Sequence, residues 1–346
     1  MARRPLSFQA YRFTSSYRNE IHGLAYPVAL GGTPAVSDVT RNSWIVMEVA
    51  REQSSVIPIC WNDREQWGHA VWDIRSIVHP TDFSEASAAA FAHALRIALS
   101  TKAMLTLLHV ANAHKEEWTS FPHVRQTLAA WGLMDEKESP DAIQAKLGVT
   151  LRKVEMEPQS PLDGVRHFVG LHAADLLVLA TEGRQGVARW LHGSVAEAIS
   201  RATHKPTLFV PHKARGFVDP HRGEQRLHNV LIPVDHEPNP AAVIADIAVF
   251  VHGLTGAEGE ARLLHIGANA PRVQHPADPH RLLPVDIRKG DPVEAINNFA
   301  NEWPADLIVM PTAGHVGYLD ALRGSTTERV LRQAPCPVLA MPAGGQ

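Results

Sequence analysis

At 346 residues, with 45% hydrophobic and 20% charged residues and a net charge of −3, the chain reads as a soluble globular protein of two domains with additions. The charge balance excludes a strongly basic nucleic-acid binder. Cys60 and Cys336 are too few for a disulfide framework or a cysteine zinc pattern, and no apolar run approaches the roughly 18 residues of a membrane span.

Residues 1–72 are rich in Arg, Ser and Trp and show no sustained period. Residues 1–18 carry Arg3, Arg4, Arg12 and Arg18 and no acid, which faintly suggests a transit peptide, but the apolar centre of a secretory signal is missing. The segment reads as a flexible extension. Trp44, Trp61, Trp67 and Trp72 motivate a partner-binding segment as the alternative.

The first domain is expected over 73–212. Residues 74–79 form an apolar strand, and 80–82 are the turn at its carboxyl end, where open α/β sheets bind ligands. An Ala-rich helix follows over 85–100, with Ser84 as N-cap. Then come a strand at 104–110, a helix at 118–134 lengthened by 141–147, a strand at 149–156 and a helix at 161–173. A strand at 176–179, a helix at 194–203 and a strand at 206–211 close the domain. Residues 213–226 lack periodicity and read as a linker.

The order then repeats over 227–346. Strands are expected at 230–234, 261–266, 282–288, 307–310 and 337–341, with helices at 240–253, 292–302 and 325–333. Between the second and third of these strands lie only residues 267–281, with Pro271, Pro276 and Pro279. That is poor helix material, so this copy is expected to lack a helix that the first one has. Strand–helix alternation with short connections requires right-handed crossovers and a parallel, doubly wound sheet in each copy.

One stretch recurs with its chemistry intact. Residues 176–211 and 307–342 both run apolar strand, glycine loop, Gly-Ser, amphipathic helix, proline, apolar strand. The spacing from Gly183 to Gly193-Ser194 equals that from Gly314 to Gly324-Ser325. Ser194 and Ser325 are each followed three positions on by Glu197 and Glu328, the pattern of a capping box. A capped helix start presents free N–H groups and partial positive charge, which suit a phosphate.

These residues resemble the universal stress protein family, whose ATP-binding members carry G-x2-G-x9-G-[S/T]. Ala180 and Pro311 stand where the family has its first glycine, and Pro311 also removes a backbone donor. The resemblance implies strand order 3-2-1-4-5 in each copy, and ATP or another adenine nucleotide as ligand, with Mg as an accompanying ion. It marks Asp82, Ala180, Gly183, Gly193, Ser194 and Val195 in the first copy. In the second it marks Asp235, Pro311, Gly314, Gly324, Ser325 and Thr326. Asp82 and Asp235 would contact the adenosine part; the structural alternative is that each caps the helix that follows. The resemblance also implies pairing through last strands, giving an internal pseudo-dimer with residues 207–210 facing 338–341, and homodimerisation of whole chains as a second arrangement.

Arg184, Arg189, Arg323, His192 and His315 lie in or near the loops and read as solvated residues. No H-E-x-x-H is present, and His275, Asp278, His280 and Asp286 show no ligating spacing, so no metal site is assigned. P-loop lysine and G-x-S-x-G elbow are both missing from the sequence. The reading is a cytoplasmic stress-response protein that binds nucleotide without rapid turnover. A nucleotide-free interaction scaffold and a slow ATPase are the alternatives.

Overall fold

Short apolar runs bounded by turns can be buried on both faces only if helices return the chain across the sheet. The computed structural model describes residues 59–60, 73–111, 121–157, 160–181, 195–212, 214–255, 259–276, 278–313 and 326–343. Ile59–Cys60 (β1) is a two-residue strand. The first half comprises β2 (Ser76–Pro80), α1 (Glu85–Thr101), β3 (Met104–Val110), α2 (Val124–Ala130), β4 (Leu151–Met156), α3 (Pro161–Leu171), β5 (Leu176–Ala180), α4 (Val195–Thr203) and β6 (Thr207–Val210). The second comprises β7 (Asn229–Pro233), α5 (Ala241–Thr255), β8 (Glu260–Ile266), β9 (Gln274–His275), β10 (Asp278–Leu282), β11 (Val285–Arg288), α6 (Pro292–Glu302), β12 (Leu307–Ala313), α7 (Thr326–Leu331) and β13 (Val338–Ala343).

In the first half the strands lie in the order β4-β3-β2-β5-β6, and in the second β11-β8-β7-β12-β13. Both are 3-2-1-4-5, all parallel within a half. The last strands then pair antiparallel, Phe209 opposite Val338 and Thr207 opposite Ala340, and fuse the halves into one eleven-stranded sheet. β1, within the extension expected to be flexible, pairs antiparallel with the start of β8.

Side chains alternate between two cores that each run through both halves. Ile77, Leu105, Val178, Leu208, Ile232, Leu263, Val309 and Leu339 face α1 and α5 on one side. Val78, Leu108, Leu179, Phe209, Leu231, Leu264, Ile308 and Val338 face α3, α4, α6 and α7 on the other.

Two stretches depart from the periodic pattern. Of the helix expected over 118–134, residues 118–120 lie outside the described residues and α2 takes 124–130, while residues 143–147 form a separate π-helical turn. Gly132, at φ +71°, ends the first piece, and Pro140 lies between the two. Between β8 and β11 the chain forms the antiparallel pair β9–β10.

A carboxylate fixes where strands one and four begin. Asp175, immediately before β5, accepts from the backbone N–H groups of Arg75 and Ser76, both at 2.9 Å. Its own N–H donates to the Ser76 carbonyl at 2.9 Å. Asp306, immediately before β12, does the same for His228 and Asn229 at 3.0 Å, and donates to the Asn229 carbonyl at 2.8 Å. Charge-assisted bonds to otherwise unpaired amides are among the stronger ones a fold can make.

The segment between the halves is folded. Phe217, Val218 and Leu227 are buried in the α1/α5 core. Val218 bridges to Gln225, and the Trp131 indole N–H donates to the Pro220 carbonyl at 3.0 Å. Gly223 sits at φ +67° against that indole, where a Cβ would lie 2.3 Å from Trp131. Arg215 reaches the second half, donating to the Pro304 and Ala305 carbonyls and to Asp306.

If the carboxylate clamp sets strand one against strand four, Asp175→Ala leaves two amides without their acceptor. We expect it to lower the unfolding free energy by about 2–3 kcal/mol, read as a lower urea midpoint with an unchanged slope. A midpoint equal to that of the native chain would contradict the clamp.

Candidate functional site

From the clamp the ladder runs only a short way. β2 pairs with β5 at Ile77–Leu176 and Val78–Leu177 and no further. β7 pairs with β12 at Val230–Leu307 and Leu231–Ile308, and again no further. Beyond those pairs β5 and β12 continue against β6 and β13. Strands one and four therefore part at their carboxyl ends in both halves, at the point where the strand order reverses, which is where open α/β sheets hold ligands.

In the first half, buried polar groups line this fork. His79 is fully buried on β2, and its Nδ1 donates to the Val178 carbonyl of β5 at 2.9 Å, spanning the strands just past the last ladder pair. Its Nε2 lies 3.5 Å from Ser87 Oγ, which donates to Thr81 Oγ1 at 2.9 Å. Burial lowers the His79 pKa to about 4, so the ring is neutral near pH 7. The matching position in the second half is Ile232.

Asp82 follows β2 and is half-buried; its Oδ1 accepts from the Ser84 N–H at 3.0 Å. Ser84 is the N-cap of α1, accepting from Ser87 N–H at 3.2 Å, as its position before the Ala-rich run predicts. Between them Phe83 takes φ +60°, unusual for a bulky side chain. Its N–H donates to Thr81 Oγ1, and its ring stacks on His109 at 4.2 Å and meets Phe121 edge-on at 5.1 Å. His109, buried on β3, makes a hydrogen bond from Nδ1 to the Thr81 carbonyl at 2.8 Å.

The second half repeats this frame with other side chains. Asp235 is exposed, and its Oδ1 accepts from the His236 N–H at 2.8 Å. His265 of β8 is buried and places Nδ1 3.1 Å from the Val234 carbonyl and 3.8 Å from Asp235 Oδ1. His236 stands where the first half has Phe83, edge-on to His265 at 5.9 Å, with Nε2 3.0 Å from the Asn269 carbonyl.

Among the other residues singled out in the sequence, Ala180 ends β5 and Val195 begins α4, which has nine residues. Pro311 lies inside β12, past the end of the β7 ladder, and Thr326 begins α7, which has six. Gly183, Gly193, Ser194, Gly314, Gly324 and Ser325 lie outside the described residues, and with them the two serine caps. Glu197 and Glu328 are buried at their helix starts; Glu328 pairs with Arg332. Of His275, Asp278, His280 and Asp286, the last lies on β11 and is committed elsewhere: its Oδ1 accepts from Arg262 at 2.9 Å, inside the sheet and beneath Phe299 and Trp303. Burial raises its pKa against the pull of Arg262 and Arg288.

The sequence model of the universal stress protein family matches residues 73–211 and 255–342. The chain belongs to the universal stress protein family. Universal stress protein MJ0531 of Methanocaldococcus jannaschii is 30% identical over 145 residues, which cover 39% of this chain and 81% of that protein. Among solved structures, a universal stress protein from Archaeoglobus fulgidus aligns with a TM-score of 0.52 at 20% identity, over 80% of this chain and 99% of that one. A functionally unknown protein, PA1789 from Pseudomonas aeruginosa, aligns with a TM-score of 0.53 at 15% identity, over 81% and 95%. Both show the shared fold. The family match leaves out β7 and α5, and so the Asp235–His236 pair, although their geometry repeats that of β2 and α1. Sequence reasoning missed Asp175, Asp306, His79, His109 and His265. The first two were visible as Ala-Asp-Leu before both fourth strands, and His109 and His265 as a histidine after leucine in both second strands.

In this universal stress protein two buried histidines tie stability to pH. His93 on α1 is fully buried like His79; its Nδ1 donates to the Ala89 carbonyl and its Nε2 accepts from the Val218 N–H, and burial lowers its pKa to about 4. In the unfolded chain both titrate near the ordinary value of about 6.5. Their contribution is complete above that value and is lost as pH falls toward 4, by up to about 3 kcal/mol each. Urea melts at pH 7 and pH 4.5 are expected to show this loss, reduced in His79→Ile, which copies Ile232. An equal loss in that variant would show that His79 does not titrate in this way.

Proposed function

We propose that this universal stress protein binds ATP or another adenine nucleotide in its first half, acting in stress physiology through ligand-dependent conformation or partner choice. The observation that carries the reading is the fork between β2 and β5, with Asp82 at the end of one strand and Ala180 leading into the glycine loop from the other. Adenosine would lie against the β2 side, near Asp82. The phosphates would reach the N–H groups of the Gly183–Ser194 loop and the start of α4, with Mg as their counter-ion.

Asp82 already accepts the Ser84 amide, which fixes its rotamer, and a carboxylate has lone pairs enough to accept a ribose hydroxyl as well. The second half is the weaker candidate, because Pro311 takes the place of the leading glycine.

Isothermal titration of the full chain with ATP tests this. The native chain is expected to bind, Asp82→Asn to bind about tenfold or more weakly, and Gly193→Trp not to bind while keeping its circular dichroism. An absence of binding heat in the native chain would favour the nucleotide-free scaffold. Unchanged affinity in Gly193→Trp would refute the phosphate assignment.

A further inference from the structure

We propose that the second half carries a divalent transition-metal site formed by Asp235, His236 and His265. One ligand atom from each residue lies within 4.8 Å of the other two, a spacing one ion can bridge after small side-chain adjustments. Asp235 and His236 come from the turn after β7, and His265 from β8. Parallel pairing of those strands brings them together at the carboxyl edge of the sheet.

The surroundings suit ligation. Each imidazole is held by a main-chain carbonyl through one nitrogen, Val234 for His265 and Asn269 for His236. For His236 this contact fixes the ring through Nε2 and leaves Nδ1 with its lone pair, the arrangement metal-binding histidines usually have. The His265 nitrogen that faces Asp235 Oδ1, at 3.8 Å, is Nδ1, so ligation there would exchange its carbonyl contact for the ion, and Gly267 packs against Nε2, where a Cβ would lie at 2.6 Å. Asp235 and His236 are exposed, so an ion can enter from solvent.

The internal repeat supplies the comparison. At the same positions the first half has Asp82, Phe83, His109 and Ala111. His109 makes the same carbonyl contact as His265, but its neighbour is the stacked Phe83 ring, which cannot ligate. Replacing one aromatic ring by an imidazole, and alanine by glycine, turns a packed corner into a set of three donors. Two imidazoles and one carboxylate favour Zn2+, Co2+, Ni2+ or Cu2+ over Mg2+ or Ca2+. Three protein ligands leave further positions open to water or an external ligand.

The site is independent of nucleotide, so it is tested without any. The full chain, stripped with chelator and dialysed, is titrated with Zn2+ against a chromophoric chelator, and separately with Co2+ while visible absorption is followed. The expected result is one Zn2+ per chain that is lost or weakened at least about tenfold in both His236→Phe, which copies Phe83, and Asp235→Asn. Asp82→Asn should leave it unchanged, and the Co2+ bands should fall away in His236→Phe with the circular dichroism preserved. No Zn2+ uptake by the native chain would overturn the proposal. So would uptake and Co2+ bands that persist unchanged in His236→Phe, since the other histidines would then be responsible.

Discussion

Two aspartates placed just before the fourth strands, Asp175 and Asp306, hold the first strands by their opening amides. Each pins strands one and four at one end only. Strand order 3-2-1-4-5 sends the following helices to opposite faces at this junction, so the pinned pair diverges toward its carboxyl end. The fork, and everything that surrounds it, depends on a contact made at the far edge of the sheet. The same carboxylate binds the halves to one another in the second copy, where Arg215 from the connecting segment donates to Asp306.

Antiparallel pairing of β6 with β13 does the rest of the joining. It turns two edge strands into interior ones, so neither half exposes that ladder. The outer strand β4 carries Arg152, Lys153 and Glu155, and charged residues of this kind discourage edge-to-edge association. The halves differ at their forks. The first has a polar, buried lining of His79, Thr81 and Ser87; the second has Ile232, Val234 and a pair of histidines.

Much of the fold was legible because buried parallel strands are apolar runs, and such runs are hard to hide. Residues 104–110 and 292–302 match β3 and α6 at both ends. The helix expected over 118–134 ends early, at Ala130, because its apolar spacing continues past Gly132, where the backbone cannot. The fold of residues 214–226 was not legible, because a hairpin held by Phe217 and Trp131 has no period to display. The places of Asp82 and Asp235 just after strand one were legible. The histidines were not: His236 and His265 are distant in sequence, and only strand pairing shows that they share a corner.

Hydrogen–deuterium exchange of the full chain with and without saturating ATP tests the account most directly. It predicts slower exchange in peptides covering residues 79–84 and 180–195, with the β6–β13 seam unchanged. Protection confined to the seam or to the connecting segment, with the fork peptides unaffected, would contradict it.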